Sequence, residues 1–183
     1  MLTSENTRRS FKGTRSAEGR PPAFEPVSRG EPIGVLNIPR LGVSAVVAEG
    51  DDAGTLKVGI GHLPDTPMPW RDGNSALAAH RDTFFRPLKD VRVGDELYLT
   101  TPGHRELRYL VRETMVVRPD DLWVLDPTRV PTLTLITCYP FYFVGDAPQR
   151  FVVRAERVRP EAGARPESAV RTFGKQVAGA VSN

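Results

Sequence analysis

Short runs of aliphatic and β-branched residues, separated by glycine and proline, constrain the fold of this chain more than any other feature. The 183 residues include 16 Gly and 17 Pro, which favours many turns over a helical bundle. Nowhere does the sequence repeat the strand–helix alternation that builds a parallel α/β sheet. The pattern therefore predicts an all-β barrel or sandwich, with a few short helical turns.

Seven segments are predicted to be strands because they are rich in Val, Ile, Leu and Thr and are bounded by turn residues. Short helical turns are expected where aspartates can cap them, and a Pro-Gly turn joins two of the strands into a hairpin. The predicted strands span residues 33–38, 43–48, 75–80, 96–101, 106–117, 133–138 and 151–158; the helical turns span 51–58 and 120–125; a Gly/Pro-rich loop spans 59–74.

Charge is distributed unevenly along the chain. The net charge is +3, and residues 1–30 alone carry six basic and three acidic residues, so the remainder is neutral. We expect three parts: a flexible basic linker at residues 1–30, a folded domain at 31–160, and a tail at 161–183 whose apolar residues have helical spacing. A neutral domain without a basic face argues against nucleic-acid binding.

Membrane-spanning and secretory segments are not expected in this sequence. No run approaches the roughly 20 apolar residues that a membrane helix needs, and the N-terminus lacks the apolar core of a signal peptide. The sequence predicts a soluble chain, and any export signal or membrane anchor would lie outside it.

Cys138 is the single cysteine of the chain. One thiol excludes an intramolecular disulfide and any metal site that needs two thiolates. Two interpretations remain, a small buried hydrophobe or a nucleophile. Cys138 ends an apolar strand and precedes Tyr139 and Pro140, so it lies where a rigid strand meets a loop, which suits a nucleophile.

A nucleophilic thiol needs a base and a group that stabilises an oxyanion. His80 ends a predicted strand, as Cys138 does, whereas His62 and His104 fall in a loop and a turn, where histidines are usually solvated. Arg150 opens the strand that follows Cys138. If these two strands are neighbours, Arg150 and Cys138 lie at the same rim, and the guanidinium can donate two hydrogen bonds.

Metal sites are not favoured. His62, His80, His104 and Cys138 lie far apart in the sequence and lack the close ligand pair that zinc sites usually show. The acidic pair at residues 120–121 is explained by helix capping, so calcium is not supported either. The sequence predicts no metal and no cofactor.

Four other side chains near these segments can be given two interpretations each. Asp82 and Asp146 are candidates to orient the imidazole or the guanidinium, although an aspartate after a strand end often caps a turn. Trp70 and Trp123 can line a groove, but we predict that both belong to the core.

Three ordered motifs carry a resemblance to a known family. Residues 134–138 read Thr-Leu-Ile-Thr-Cys, residues 79–85 read Ala-His-Arg-Asp-Thr-Phe-Phe, and residues 150–155 read Arg-Phe-Val-Val-Arg-Ala. These runs resemble the Cys, His and Arg motifs of sortases, in the family's order. Residues 138–145 and 61–82 are similar to class D sortases in particular. The resemblance extends from about residue 33 to residue 158.

The resemblance implies an eight-stranded sortase-type β-barrel as the catalytic domain. It implies Cys138 as the nucleophile, His80 as the general acid/base and Arg150 as the oxyanion or substrate-orienting group. The same resemblance places neighbouring side chains in the substrate groove: Ala79, Thr137 and Tyr139. Sortases usually have glycine before the catalytic histidine, so Ala79 is a departure whose extra methyl can shift that histidine slightly.

The implied reaction is a transpeptidation. The thiol attacks a Leu-Pro-x-Thr-Gly-like sorting signal at the end of a surface protein, and an amine from the cell envelope or a pilus subunit resolves the thioester. The implied location is extracytoplasmic and membrane-associated. Two alternatives stay open: a sortase-fold peptidase that mainly hydrolyses its acyl-enzyme, and a non-catalytic β-barrel binding module with an inert core cysteine.

Overall fold

The computed structural model describes residues 27–142, 145 and 147–159. The predicted tail at residues 161–183 and residues 1–26 of the predicted linker lie outside the described residues.

Eight strands close into a barrel, which confirms the predicted all-β fold. Around the barrel the strands follow the order β1-β2-β3-β4-β7-β8-β6-β5. The β2–β3 and β4–β7 pairs are parallel, and the other neighbours are antiparallel. The strands are β1 (Pro32–Ile38), β2 (Val43–Glu49), β3 (Ile60–His62), β4 (Asn74–Ala78), β5 (Glu96–Thr100), β6 (Glu106–Val117), β7 (Thr132–Tyr139) and β8 (Gln149–Arg157).

The connections contain one short α-helix, α1 (Ala53–Val58), and three 3₁₀ turns, Pro39–Leu41, Arg86–Asp90 and Leu122–Leu125. Asp52 caps α1 as predicted, because its Oδ1 accepts hydrogen bonds from the backbone N–H groups of the first turn at 2.9 and 3.2 Å. The predicted capping of residues 120–125 is wrong. The Asp121 carboxylate instead accepts from the Arg118 N–H at 2.7 Å, outside the turn.

Strand β3 was not predicted, since it lies within the segment expected to be a loop. Only three residues long, it contains a glycine and a histidine and therefore shows no alternating pattern. It is held between β2 and β4 by backbone pairing. Asn74, also placed in the predicted loop, begins β4. Its amide donates to the carbonyls of Val124 and Asp126 at 2.9 and 3.1 Å, which ties the Leu122–Leu125 turn to the barrel.

Two apolar clusters stabilise opposite faces of the sheet. The main cluster fills the barrel interior and includes Leu36, Leu77 and Leu135, each fully buried. A smaller cluster on the outer face joins Val117, Val124 and Val152, with Ile136 packed against it. Strands β7 and β8 therefore contact apolar side chains on both faces along this part of their length, so their positions are closely defined.

The two tryptophans have different environments. Trp70 packs against the main cluster, as predicted. Trp123 is 48% exposed, so its predicted place in the core is wrong. The Arg154 guanidinium lies 5.2 Å from the centre of its ring, a cation–π contact on the surface.

Asp95, just before β5, connects two turns of the barrel. Its carboxylate accepts from Nε and Nη2 of Arg40 and, at 2.8 Å, from the backbone N–H of Arg92. The hydrogen bond from Arg40 holds the pKa of Asp95 below its ordinary value, and the Arg92 N–H and both positive charges act in the same direction. Folding thus favours the ionised carboxylate, which contributes stability above the unfolded-state pKa and loses it as the pH falls through the lowered folded-state pKa.

We expect Asp95→Asn to lower the melting temperature at pH 7 by about 3–6 °C, as for a loss of about 1 kcal/mol. The difference in melting temperature between the wild type and the variant stays constant above about pH 5. It decreases as the pH falls toward 3, because the wild-type carboxylate is then protonated. Thermal denaturation across this pH range measures both melting temperatures. The control variant is Asp65→Asn, which makes the same substitution at an exposed aspartate. A difference in melting temperature that is unchanged at pH 3 would contradict the stabilisation assigned to the ionised Asp95 carboxylate.

Candidate active site

Three neighbouring strands bring the predicted catalytic residues to one rim of the barrel. In the parallel pair β4–β7, Ala78 is opposite Ile136, and two residues further along each chain lie His80 and Cys138. In the antiparallel pair β7–β8, Cys138 is directly opposite Arg150. Cys138 therefore lies on the middle strand, with the histidine on one side and the arginine on the other.

Strand alternation determines the face on which the thiol lies. Leu135 belongs to the main interior cluster, whereas Ile136 packs in the outer cluster. Since successive side chains point to opposite faces, Cys138 shares the outer face with Ile136. Arg150, its cross-strand partner, points to that face as well.

An open pocket of about 350 Å³ contains all three side chains. Cys138 is half-buried and has no disulfide partner. A cysteine that lines an open pocket is not an inert core residue, so this observation favours the nucleophile interpretation over the buried one. The remaining residues of the pocket are Arg81, Asp82, Gly145 and Ala147.

The turn after β4 fixes the backbone of His80 while leaving its imidazole exposed. The His80 carbonyl accepts hydrogen bonds from the backbone N–H groups of Phe85 at 3.3 Å and Thr83 at 3.4 Å. Phe85 is fully buried and anchors the turn in the main cluster. A rigid backbone with an accessible ring is the arrangement that a proton-transfer group requires.

Thr137 and Ala79 lie beneath the pocket and not within it. The Thr137 hydroxyl, 3% exposed as a residue, donates to the Ala79 carbonyl at 2.8 Å. The Ala79 N–H donates to the carbonyl of Ile136 at 3.3 Å, and its methyl packs in the main cluster. Both residues therefore join the ends of β4 and β7 through hydrogen bonds, at the place where the sequence predicted groove contacts.

Tyr139 also faces away from the thiol, because it follows Cys138 on the strand. Its ring stacks on Phe151 with centroids 6.2 Å apart and meets the edge of Phe141 at 5.9 Å. These aromatic contacts support the end of β7. None of the three predicted groove residues belongs to the residues that line the pocket.

Arg150 is held by its own loop. Its Nη1 donates to the carbonyls of Gln149 at 3.0 Å and Ala147 at 3.2 Å. Within the described part of the chain no carboxylate forms an ion pair with this guanidinium. The half-buried positive charge is thus oriented by neutral carbonyls and is available to a developing oxyanion.

Two contacts connect the segments that follow the histidine and the cysteine. Arg81 Nη2 donates to the Gly145 carbonyl at 2.9 Å. Lys89 Nζ contacts the Tyr142 hydroxyl at 2.9 Å and lies 5.5 Å from the ring centre, and this contact raises the pKa of Lys89. The sequence alone does not reveal these contacts, because only the fold brings the two segments together. Asp146 lies outside the described residues.

The other two histidines have contrasting surroundings. His104 is exposed in the β5–β6 turn, as predicted. His62 is 1% exposed, so its expected solvation is wrong. Its Nδ1 lies 2.7 Å from the Glu49 carboxylate, and its Nε2 lies 3.2 Å from both the Thr66 hydroxyl and the Pro67 carbonyl. This buried pair links β2, β3 and the segment entering β4, away from the catalytic pocket.

Comparisons with known proteins identify the family. A sequence profile of the sortase domain matches residues 36–158. The chain belongs to the sortase family. Sortase D of Bacillus subtilis (strain 168) is 36% identical over 137 residues, which cover 74% of this chain and 68% of that protein. Sortase SrtE1 of Streptomyces coelicolor is 29% identical over 170 residues, covering 82% of this chain and 47% of that protein.

Solved sortase structures have the same architecture. The sortase D5 transpeptidase of Clostridium perfringens superposes with a TM-score of 0.66 at 31% identity, covering 73% of this chain and 83% of that one. Sortase A from Corynebacterium diphtheriae gives a TM-score of 0.67 at 30% identity, covering 75% of this chain and 65% of that one. The predicted eight-stranded sortase barrel is thereby confirmed, as is the similarity to class D.

Family membership makes the chain a sortase-type cysteine transpeptidase domain, of the kind that attaches proteins to the cell surface. The chain spans about two thirds of the Bacillus sortase D and 49% of sortase A from Listeria monocytogenes. Within the residues that the structure covers, no helix has the length and apolar character needed to cross a bilayer.

Proposed function

We propose that this chain cleaves a Leu-Pro-x-Thr-Gly-like sorting signal through a thioester on Cys138 and transfers the acyl group to an amine. The observation that carries the proposal is the row of three side chains on adjacent strands, with Cys138 between His80 and Arg150 in one open pocket. A binding module with an inert core cysteine would not place the thiol there.

In the first step the Cys138 thiolate attacks the carbonyl carbon of the scissile peptide bond. The carbon–sulfur bond forms, the carbon–nitrogen bond breaks, and the imidazolium of His80 gives its proton to the leaving amine. The negative charge that develops on the carbonyl oxygen is stabilised by the Arg150 guanidinium. This guanidinium is preorganised, since the loop carbonyls already hold its Nη1.

In the second step an acceptor amine attacks the thioester. The new carbon–nitrogen bond forms, sulfur leaves with its electron pair as the thiolate, and the neutral imidazole takes a proton from the attacking nitrogen. A thioester retains enough of the acyl group's reactivity for an amine to compete with water. This competition separates a transpeptidase from the alternative function, a peptidase that mainly hydrolyses its acyl-enzyme.

The proposed partners follow from the same chemistry. One is a surface protein that ends in a sorting signal, and the other is an amine of the cell envelope or of a pilus subunit. A Clostridium perfringens sortase C that is 29% identical to this chain has a structure described with the C-terminal cell wall sorting motif. That similarity supports a sorting-signal substrate here and an extracytoplasmic place of action.

Intact-protein mass spectrometry tests the proposal directly. The protein is mixed with a library of Leu-Pro-x-Thr-Gly variants, first alone and then with glycinamide. We expect an acyl adduct that peptide mapping locates on Cys138, and an amide product when glycinamide is present. Absence of an adduct with every peptide would reject the transpeptidase. An adduct that yields only free acid at every amine concentration would favour the peptidase.

A further inference from the structure

A second row of polar side chains crosses the outer face of the sheet, further from the rim than the catalytic residues. Thr134 on β7 and Arg154 on β8 are cross-strand partners. Strand alternation places both on the outer face, because Ile136 and Val152, two residues nearer the rim, pack in the outer cluster. Each lies four residues, about 13 Å, from the catalytic residue of its own strand.

Asn74 completes this row from β4. It is fully buried, and its Oδ1 accepts a hydrogen bond from the Thr134 hydroxyl at 2.6 Å. Its Nδ2 donates to the carbonyls of Val124 at 2.9 Å and Asp126 at 3.1 Å. Thr134 therefore orients the amide so that both N–H bonds are aimed at the end of the Leu122–Leu125 turn.

Arg154 binds the same turn from the other side of β7. Its Nη2 donates to the Val124 carbonyl at 3.3 Å, and its Nη1 lies 3.3 Å from the Glu113 carboxylate. Its guanidinium also lies over the ring of Trp123. Since β4 and β8 are the two neighbours of β7, the Val124 carbonyl is held from both sides of the strand that carries the thiol.

The turn held in this way lies beside the approach to the thiol. Val124 packs in the outer cluster with Ile136, and Cys138 is on the same face two residues, about 7 Å, further along β7. Ile136 is half-buried, so the turn leaves part of this strip uncovered, and Leu122 and Trp123 are exposed. A peptide that extends from the thiol across the outer face meets the turn within about two residues.

We propose that Asn74 and Arg154 are positioning residues that hold the Leu122–Leu125 turn as one wall of the peptide-binding surface, an inference that rests on the proposed transpeptidation. Neither residue lines the catalytic pocket. Their loss therefore weakens peptide binding and leaves the reacting groups in place, so the effect falls on the KM for the sorting peptide and not on kcat. Because both residues bind one carbonyl, their effects are coupled.

Steady-state kinetics with a sorting peptide and glycinamide tests this role. Asn74→Ala and Arg154→Met should each raise the peptide KM about three- to tenfold, as for the loss of one or two hydrogen bonds, with kcat unchanged. The double variant should raise KM by less than the product of the single effects, because the turn is already loosened in either one. The matched controls are Asn37→Ala, half-buried in β1, and Arg112→Met, whose guanidinium pairs with Glu156.

Two measurements that need no turnover separate the turn from the catalytic row. Cys138 is the single cysteine, so the rate of its alkylation by iodoacetamide reports on the thiol and should be the same in Asn74→Ala as in the wild type. The emission of Trp123 is obtained as the difference between each protein and its Trp123→Phe counterpart. Acrylamide should quench this emission more strongly in Asn74→Ala, because the turn has lost one of its two anchors.

An unchanged peptide KM in both single variants would overturn the proposal, as would unchanged quenching of Trp123. A lower kcat together with slower alkylation would overturn it in favour of a general structural role. If Asn74→Ala is recovered unfolded, Arg154→Met at its partly exposed position decides the kinetic test. The wild type is first tested for the acyl adduct on Cys138, and absence of that adduct rejects the proposed function itself.

Discussion

Replacing Cys138 by alanine abolishes acyl-enzyme formation and leaves the barrel folded. We expect kcat/KM for cleavage of a sorting peptide to fall by at least about 10³-fold, because no other group in the pocket can form the thioester. Peptide cleavage followed by chromatography, together with the intact mass of the protein, measures the loss. Cys138→Ser should be nearly as inactive, since a hydroxyl is a far weaker nucleophile than a thiolate.

The melting temperature distinguishes this expectation from that of an inert core cysteine. Cys138 is half-buried beside an open pocket, so removal of its sulfur should change the melting temperature by about 2 °C or less. A variant that loses stability but forms product in proportion to its folded fraction would contradict the nucleophile assignment. So would an acyl adduct that persists in Cys138→Ala.

The second large effect is expected at His80. Alanine there should lower kcat/KM for a peptide substrate by about 10²–10⁴-fold, the usual contribution of a positioned general acid. The loss arises because the departing amine needs a proton and His80 is the one imidazole that lines the pocket within the described residues. His104→Ala, in an exposed turn far along the chain, is the matched control and should retain wild-type activity.

A change of leaving group isolates the proton transfer. An ester or thioester analogue of the sorting peptide releases a group that needs little protonation, so His80→Ala should slow its acylation far less than it slows amide cleavage. Equal losses with the amide and the ester would contradict the role of His80 as acid. They would indicate instead that the residue serves mainly to generate the thiolate.

The shared location of His80, Cys138 and Arg150 at one rim could be predicted in part from the sequence, because each lies at or just beyond a strand end. Cys138 and Arg150 are separated by one loop between consecutive strands, and antiparallel pairing of those strands places them opposite each other. His80 could be assigned to the same rim only through the family motifs. Its strand pairs in parallel with β7, a long-range contact that local pattern does not reveal.

The surroundings of three other residues, Thr137, Tyr139 and His62, were predicted less well. Thr137 and Tyr139 flank Cys138 in sequence, but strand alternation turns both toward the opposite face. His62 was expected in a solvated loop because three residues of β3 carry too little pattern to indicate a strand. Its burial depends on Glu49 and on the closed barrel, which are tertiary features.

The row of three strands has a consequence for how this enzyme can diversify. The separation of His80, Cys138 and Arg150 is determined by backbone hydrogen bonding between adjacent strands, spaced about 4.8 Å apart, and not by the length of any connecting loop. Loops at this rim can therefore be exchanged between homologues without changing the reacting geometry, provided that the turn after β4, which holds His80, and the residues just before Arg150, which hold its guanidinium, are kept. A chimera carrying foreign loops would inherit new preferences for peptide and amine while retaining the chemistry of its own barrel.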